Sequence, residues 1–146
     1  MYDKIMLTPN SINNQIDANT VVNYQTSNTF RVRYESDYKL LGMCDDIEAM
    51  KQAIFKIINT ERYKYLIYDW NYGIELNDLI GKPIPYVYAE IERRIKEALL
   101  ADNRIKEVTD FRFSNNGGDV LCLFTANTIY GEINNITREV TAYVRN

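Results

Sequence analysis

Three carboxylates, Asp69, Glu75 and Asp78, stand beside Tyr68, Trp70 and Tyr72, and their types could support acid–base chemistry. Glycoside cleavage needs two carboxyl groups about 5 to 9 Å apart, one of them held protonated by its surroundings. The spacing fixes neither condition. The same residues read better as turn and ion-pair groups around an aromatic core or interface, with a sugar-cleaving hydrolase as the alternative. Other chemistry is narrowed by composition. The chain contains no histidine, which excludes Ser-His-Asp, Cys-His and histidine–metal sites. Cys44 and Cys122 lie too far apart for a metal-ligand motif and read as two small buried hydrophobes. Gly117-Gly118 stands alone and matches no phosphate-binding fingerprint. No cofactor and no metal are expected.

The elements that must position these residues follow from periodicity. Residues 29–34 alternate apolar Phe30, Val32 and Tyr34 with Arg31, Arg33 and Glu35, a half-buried strand whose hairpin partner is residues 38–43. Asp45 with Glu48 three residues later resembles a capping box. It opens a helix whose apolar face is Ile47, Met50, Ile54, Ile57 and Ile58, with Lys51, Gln52 and Lys56 toward water. In residues 59–76, Leu66, Tyr68, Trp70 and Tyr72 fall at period two, so an extended chain would carry them on one face. Gly73 then allows a turn, and residues 76–80 make a short helical turn closed by Gly81. Pro83 and Pro85 suit the first turn of a second helix reaching about residue 101. Its stripe is Val87, Ile91, Ile95, Ala98 and Leu99; Glu90, Glu92, Arg93, Arg94, Lys96 and Glu97 form a solvated, paired face. Residues 108–113 are a strand, Asn115 to Asp119 a hairpin turn, and residues 120–126 a central strand. Residues 130–133 and 137–144 give either a third strand or a further hairpin around Asn134-Asn135. The class is α+β: an antiparallel sheet with two main helices packed on one face, a single domain over 28–146, and an extended Asn-rich N-terminal arm over 1–27. That arm is either a disordered tail or a segment ordering along a neighbour through Ile5, Leu7, Ile12, Ile16, Val21 and Val22.

Composition favours binding over catalysis. Tyrosine occurs 12 times against 5 phenylalanines and 1 tryptophan, and tyrosine suits half-wet contact surfaces. A net charge of -3 gives no field for nucleic acid, and no apolar run is long enough for a bilayer. Residues 1–10 lack the order of a signal peptide, so assembly in a cytoplasm is expected. At the helix-to-strand junction, Arg104 could cap the helix within the chain or take a partner's carboxylate. An edge strand at 137–144 would offer Thr137, Glu139, Thr141 and Tyr143 to an added strand.

Two stretches carry a resemblance: Asn59-Thr60-Glu61-Arg62-Tyr63 followed by Trp70-Asn71-Tyr72-Gly73-Ile74-Glu75-Leu76, and residues 90–100 running into Arg104-Ile105 and a strand. Over about residues 28–144 the sequence resembles the baseplate wedge or sheath-initiator family of contractile tails, in the form found in PBSX-like defective phages and tailocins. It is allied there to the phage W lysozyme-like proteins. The resemblance implies a structural subunit of a virion or tailocin baseplate, assembled in the bacterial host cytoplasm. Its implied partners are the wedge proteins, the tail tube and the sheath protein, with several copies around the tail axis and neither nucleic acid nor membrane. It further implies that a Glu-Pro-Arg triplet after the second helix docks on the wedge bundle. The matching positions here are Asp102, Asn103 and Arg104, with Asn103 in place of the proline. Tyr68, Trp70 and Tyr72 are the remaining candidate contact residues.

Overall fold

A computed structural model of the chain describes residues 24–33 and 39–141. The elements are β1 (Thr29–Val32), β2 (Leu40–Cys44), α1 (Asp46–Asn59), α2 (Ile84–Leu100), β3 (Ile105–Asn116), β4 (Asp119–Thr128) and β5 (Gly131–Thr141), with a 3-10 turn at Asn77–Leu79 before α2. The order and the α+β class are those the periodicities predict. Tyr34, Tyr38, Tyr143, Val144 and the apolar anchors of residues 1–23 lie outside the described residues.

The core lies between one face of the β3-β4-β5 sheet and the two helices. Val120, Cys122, Phe124 and Ala126 of β4 are buried at alternate positions, as a central strand's inward face must be. From α2, Val87, Ile91, Ile95, Ala98 and Leu99 meet them; from α1, Met50, Ile54, Ile57 and Ile58 complete the cluster. α2 packs against β3 and β4, and α1 against β5 and α2. The hairpin between β3 and β4 turns through Gly117 (φ 61) and Gly118 (φ 106), with the Gly118 amide donating to Asn115 Oδ1 at 3.2 Å. Both turn residues need positive φ, which Asn-Gly-Gly supplies at little cost.

Four local features settle or depart from what the sequence suggests. Of the two readings of residues 130–144, the third strand holds and the hairpin does not: β5 runs through Asn134-Asn135 as far as Thr141, and the register with β4 shifts between Phe124 and Ala126. Asn135 takes φ 56, so the pair is a bulge, where one strand carries an extra residue. β1 and β2 form a separate two-stranded ribbon. Gln52 does not face water. It is buried because its side-chain amide accepts from Val32 N at 2.8 Å and donates to Phe30 O at 2.8 Å. In that position it stands in for a third strand, which a lone ribbon needs for stability. Asp45 is the N-cap of α1, but no capping box closes on it. Its carboxylate accepts from Asp46 N, while Glu48 pairs with Lys51 at 2.8 Å.

Candidate interaction surfaces

Residues 61–74 form a looped knob, and the single-faced extended stripe expected there does not exist. Successive turns close through Tyr68 N to Tyr65 O at 3.3 Å and Tyr72 N to Asp69 O at 3.0 Å. The Asp69 carboxylate accepts from Trp70 N at 2.7 Å, the local bonding by which aspartate competes with extended structure. The base is tied by Ile74 N to Thr60 O at 2.9 Å and Arg62 N to Ile74 O at 3.1 Å. Gly73 (φ +90) makes this approach possible, because a Cβ there would sit 2.5 Å from Thr60 O. Arg62 bonds Gly73 O at 3.2 Å and Glu97 of α2 at 2.8 Å. Glu61 accepts from Leu76 N at 3.3 Å. Above this fixed base the rings organise one another. Tyr68 stacks on Tyr72 with centroids 4.4 Å apart, and Tyr63 leans on Trp70 at 5.7 Å. The tip is fully in solvent: Leu66 is 104% exposed, Ile67 85% and Trp70 77%. Exposed aliphatics flanked by mutually packed rings are what a contact surface presents.

The second surface is the corner after α2. Asp102 and Arg104 are both buried. Arg104 grips Asp102 in a fork, Nε to Oδ1 at 2.9 Å and Nη2 to Oδ2 at 2.5 Å, while its Nη1 donates to Thr26 O at 2.9 Å. Burial alone would raise the Asp102 carboxyl, but hydrogen bonds from the Arg104 side chain and backbone outweigh it and hold the group below the usual range. The Arg104 guanidinium is correspondingly raised, first by its bond to Asp102. Asn103 Oδ1 accepts from Gln25 N at 3.3 Å. The contacts made by this corner are thus within the chain. Two of the predicted patches meet here: Asp69, Asn71 and Tyr72 share a cleft of about 450 Å³ with Asp102 and Arg104.

The three carboxylates of the hydrolase alternative all have structural partners. Asp69 holds its turn, Glu75 lies 3.8 Å from Arg62, and Asp78 bonds Arg94 Nη2 at 2.9 Å. Arg94 draws the Asp78 carboxyl below its ordinary value, the opposite of what a general acid requires. The third predicted patch is separate from the cleft. Thr137, Glu139 and Thr141 lie exposed along β5, which among the described residues pairs with β4 alone. Between them Arg138 is half-buried and donates to Asn59 Oδ1 at 2.7 Å.

The sequence model of the contractile injection system sheath initiator matches residues 13–131. The chain belongs to this family. It is also 33% identical over 130 residues to the Phage-like element PBSX protein XkdS of Bacillus subtilis (strain 168), a span covering 87% of this chain and 92% of that protein. A structural role in a contractile phage tail follows from that membership. The sheath-initiator match takes in the knob, both helices, the Asp102–Arg104 corner and the β3–β4 hairpin.

Several residues that shape these surfaces carry little signal in the sequence. Ser27 fell within the presumed arm, yet it is buried and donates its hydroxyl to the Asp45 cap. Gln52, Arg62 and Arg94 likewise act across long separations. Arg62 alone could have been suspected, since it lies in the most distinctive stretch of the chain.

Proposed function

We propose that the chain is a non-enzymatic baseplate subunit of a contractile phage tail or tailocin, joining the wedge bundle to the tube and receiving the first sheath ring. The observation that carries this reading is the β5 edge. A strand paired on one side presents backbone N–H and C=O groups to an extended segment of another chain, and here Thr137, Glu139 and Thr141 lie along it in solvent. The aromatic knob and the Asp102–Asn103–Arg104 corner give two further unlike surfaces, for the tube and the wedge bundle. Several copies around the tail axis then need no catalytic pocket, and the occupied carboxylates support a structural role. The proposed location is the particle's baseplate, after assembly in the bacterial host cytoplasm.

Sheath recruitment tests the reading. Lysines blunt an edge strand without unfolding it, so the double variant Thr137→Lys, Thr141→Lys should fold normally yet fail to co-purify with sheath protein. Sheath capture equal to the unaltered chain would overturn the assignment of the edge. Clearing of cell walls by the purified chain, abolished in Glu75→Gln, would overturn the non-enzymatic role.

A further inference from the structure

We infer that residues 24–28 are a releasable latch over the cleft between the start of α1 and the end of α2. The inference rests on the proposed docking role of the Asp102–Arg104 corner and adds its regulation. Residues 25–28 line the cleft, together with Ala49, Ala53 and Ala98 of the two helices. Among the described residues, the segment is held by four hydrogen bonds, each with a side chain on at least one side. Gln25 N donates to Asn103 Oδ1 at 3.3 Å, and Arg104 Nη1 donates to Thr26 O at 2.9 Å. Ser27 Oγ donates to Asp45 Oδ1 and accepts from Asp46 N at 3.3 Å. Tyr24, Gln25, Thr26 and Asn28 are exposed, and Ser27 alone is buried. A segment with so little apolar burial opens locally, well below the cost of global unfolding.

Both anchor points also survive its departure. Asp45 keeps its own bond to Asp46 N at 2.8 Å, so α1 stays capped. Arg104 keeps the two-pronged grip on Asp102, so no buried charge is left unpaired. The floor of the cleft belongs to helices whose other faces are locked into the core. Beyond undoing the Ser27 bonds, release turns an Nη1 donor of Arg104 to an opened cleft, where a wedge subunit can reach it. Closed, the latch satisfies that donor internally and keeps the corner from indiscriminate contacts before assembly.

Two measurements on the full chain test this. Amide hydrogen exchange of residues 24–28 should proceed by local opening that is independent of low urea. In Ser27→Ala it should be about tenfold faster, while the amides of α1 keep their protection. Exchange of residues 24–28 only together with α1 would overturn the latch. Capture of wedge subunits co-produced from the same tail gene cluster should rise several-fold in Ser27→Ala, since the closed state competes with docking. Capture by the unaltered chain that is unchanged or weakened in Ser27→Ala would overturn the latch alone. Failure of both chains to capture wedge subunits would overturn the docking role of the corner, while the exchange result still decides whether the segment opens.

Discussion

Replacing Gly73 with alanine should destabilise the fold by about 3 to 5 kcal/mol. The backbone there has φ +90, and a Cβ would meet Thr60 O at 2.5 Å and Arg62 N at 3.3 Å. A non-glycine residue in this region costs roughly 1 to 3 kcal/mol from strain alone. The clash is with backbone, which cannot rotate aside, so relief requires opening the loop base. That sacrifices Ile74 N to Thr60 O and Arg62 N to Ile74 O, at about 1 kcal/mol each. Gly42 provides the control. It has φ +86 but nothing within 4 Å of an added Cβ, so Gly42→Ala should show the strain without the clash, about 1 to 3 kcal/mol and about 2 kcal/mol less than Gly73→Ala. Urea denaturation followed by fluorescence reads both, because Trp70 is the single tryptophan and sits in the loop itself. For a chain of this size 4 kcal/mol corresponds to a Tm lowered by roughly 8 to 16 °C. A Gly73→Ala protein within about 0.5 kcal/mol of Gly42→Ala, with Trp70 emission unchanged, would refute the close-approach argument.

Asp102→Asn should cost about 3 kcal/mol at neutral pH, because it leaves the buried Arg104 without its counter-charge. The sign of the pH dependence follows from the depressed Asp102 carboxyl. Its contribution is present above the unfolded value of about 3.9 and is lost as pH falls through the lower folded value. In urea titrations the gap between the two proteins should therefore begin to narrow as pH falls below the unfolded value of about 3.9; a constant gap from pH 7 to pH 2 would contradict the assignment. Cys122 is fully buried and burial pushes its thiol up to about 12, so a thiol-specific disulfide reagent at pH 8 should label it no faster than the chain unfolds. Rapid labelling of the folded Cys44→Ala protein would show otherwise.

Both helices were legible because their information is local. The stripes Met50–Ile54–Ile57–Ile58 and Val87–Ile91–Ile95 repeat at the helical period, and Pro83 and Pro85 mark where the second can begin. The β3–β4 hairpin was legible for the same reason, since Asn-Gly-Gly constrains its own backbone. What escaped depends on partners distant in the chain. Gln52 looks like any exposed helix residue until β1 is placed 22 positions earlier, and Arg104 finds Thr26 at a separation of 78. The knob misled for a different reason. Its alternating apolar residues fit a strand, but Asp69 and Gly73 divert the backbone into turns, and ring stacking keeps the alternation without a sheet. For Asn134-Asn135 the choice between hairpin and bulge rests on whether β5 continues, which no nearby residue decides.

The antiparallel ladder from Asp119↔Thr141 to Thr128↔Gly131 has a mechanical corollary. Tension along β5 acts at right angles to the ladder's hydrogen bonds, so the bonds share the load in shear instead of parting one by one as in peeling. The interruption at Asn134-Asn135 splits that ladder into two blocks, and the outer block, nearest Thr141, yields first. A sheath filament joined to this edge would thus pull on a graded fastening, whose inner rungs beside the β4–β5 turn hold after the outer ones have slipped.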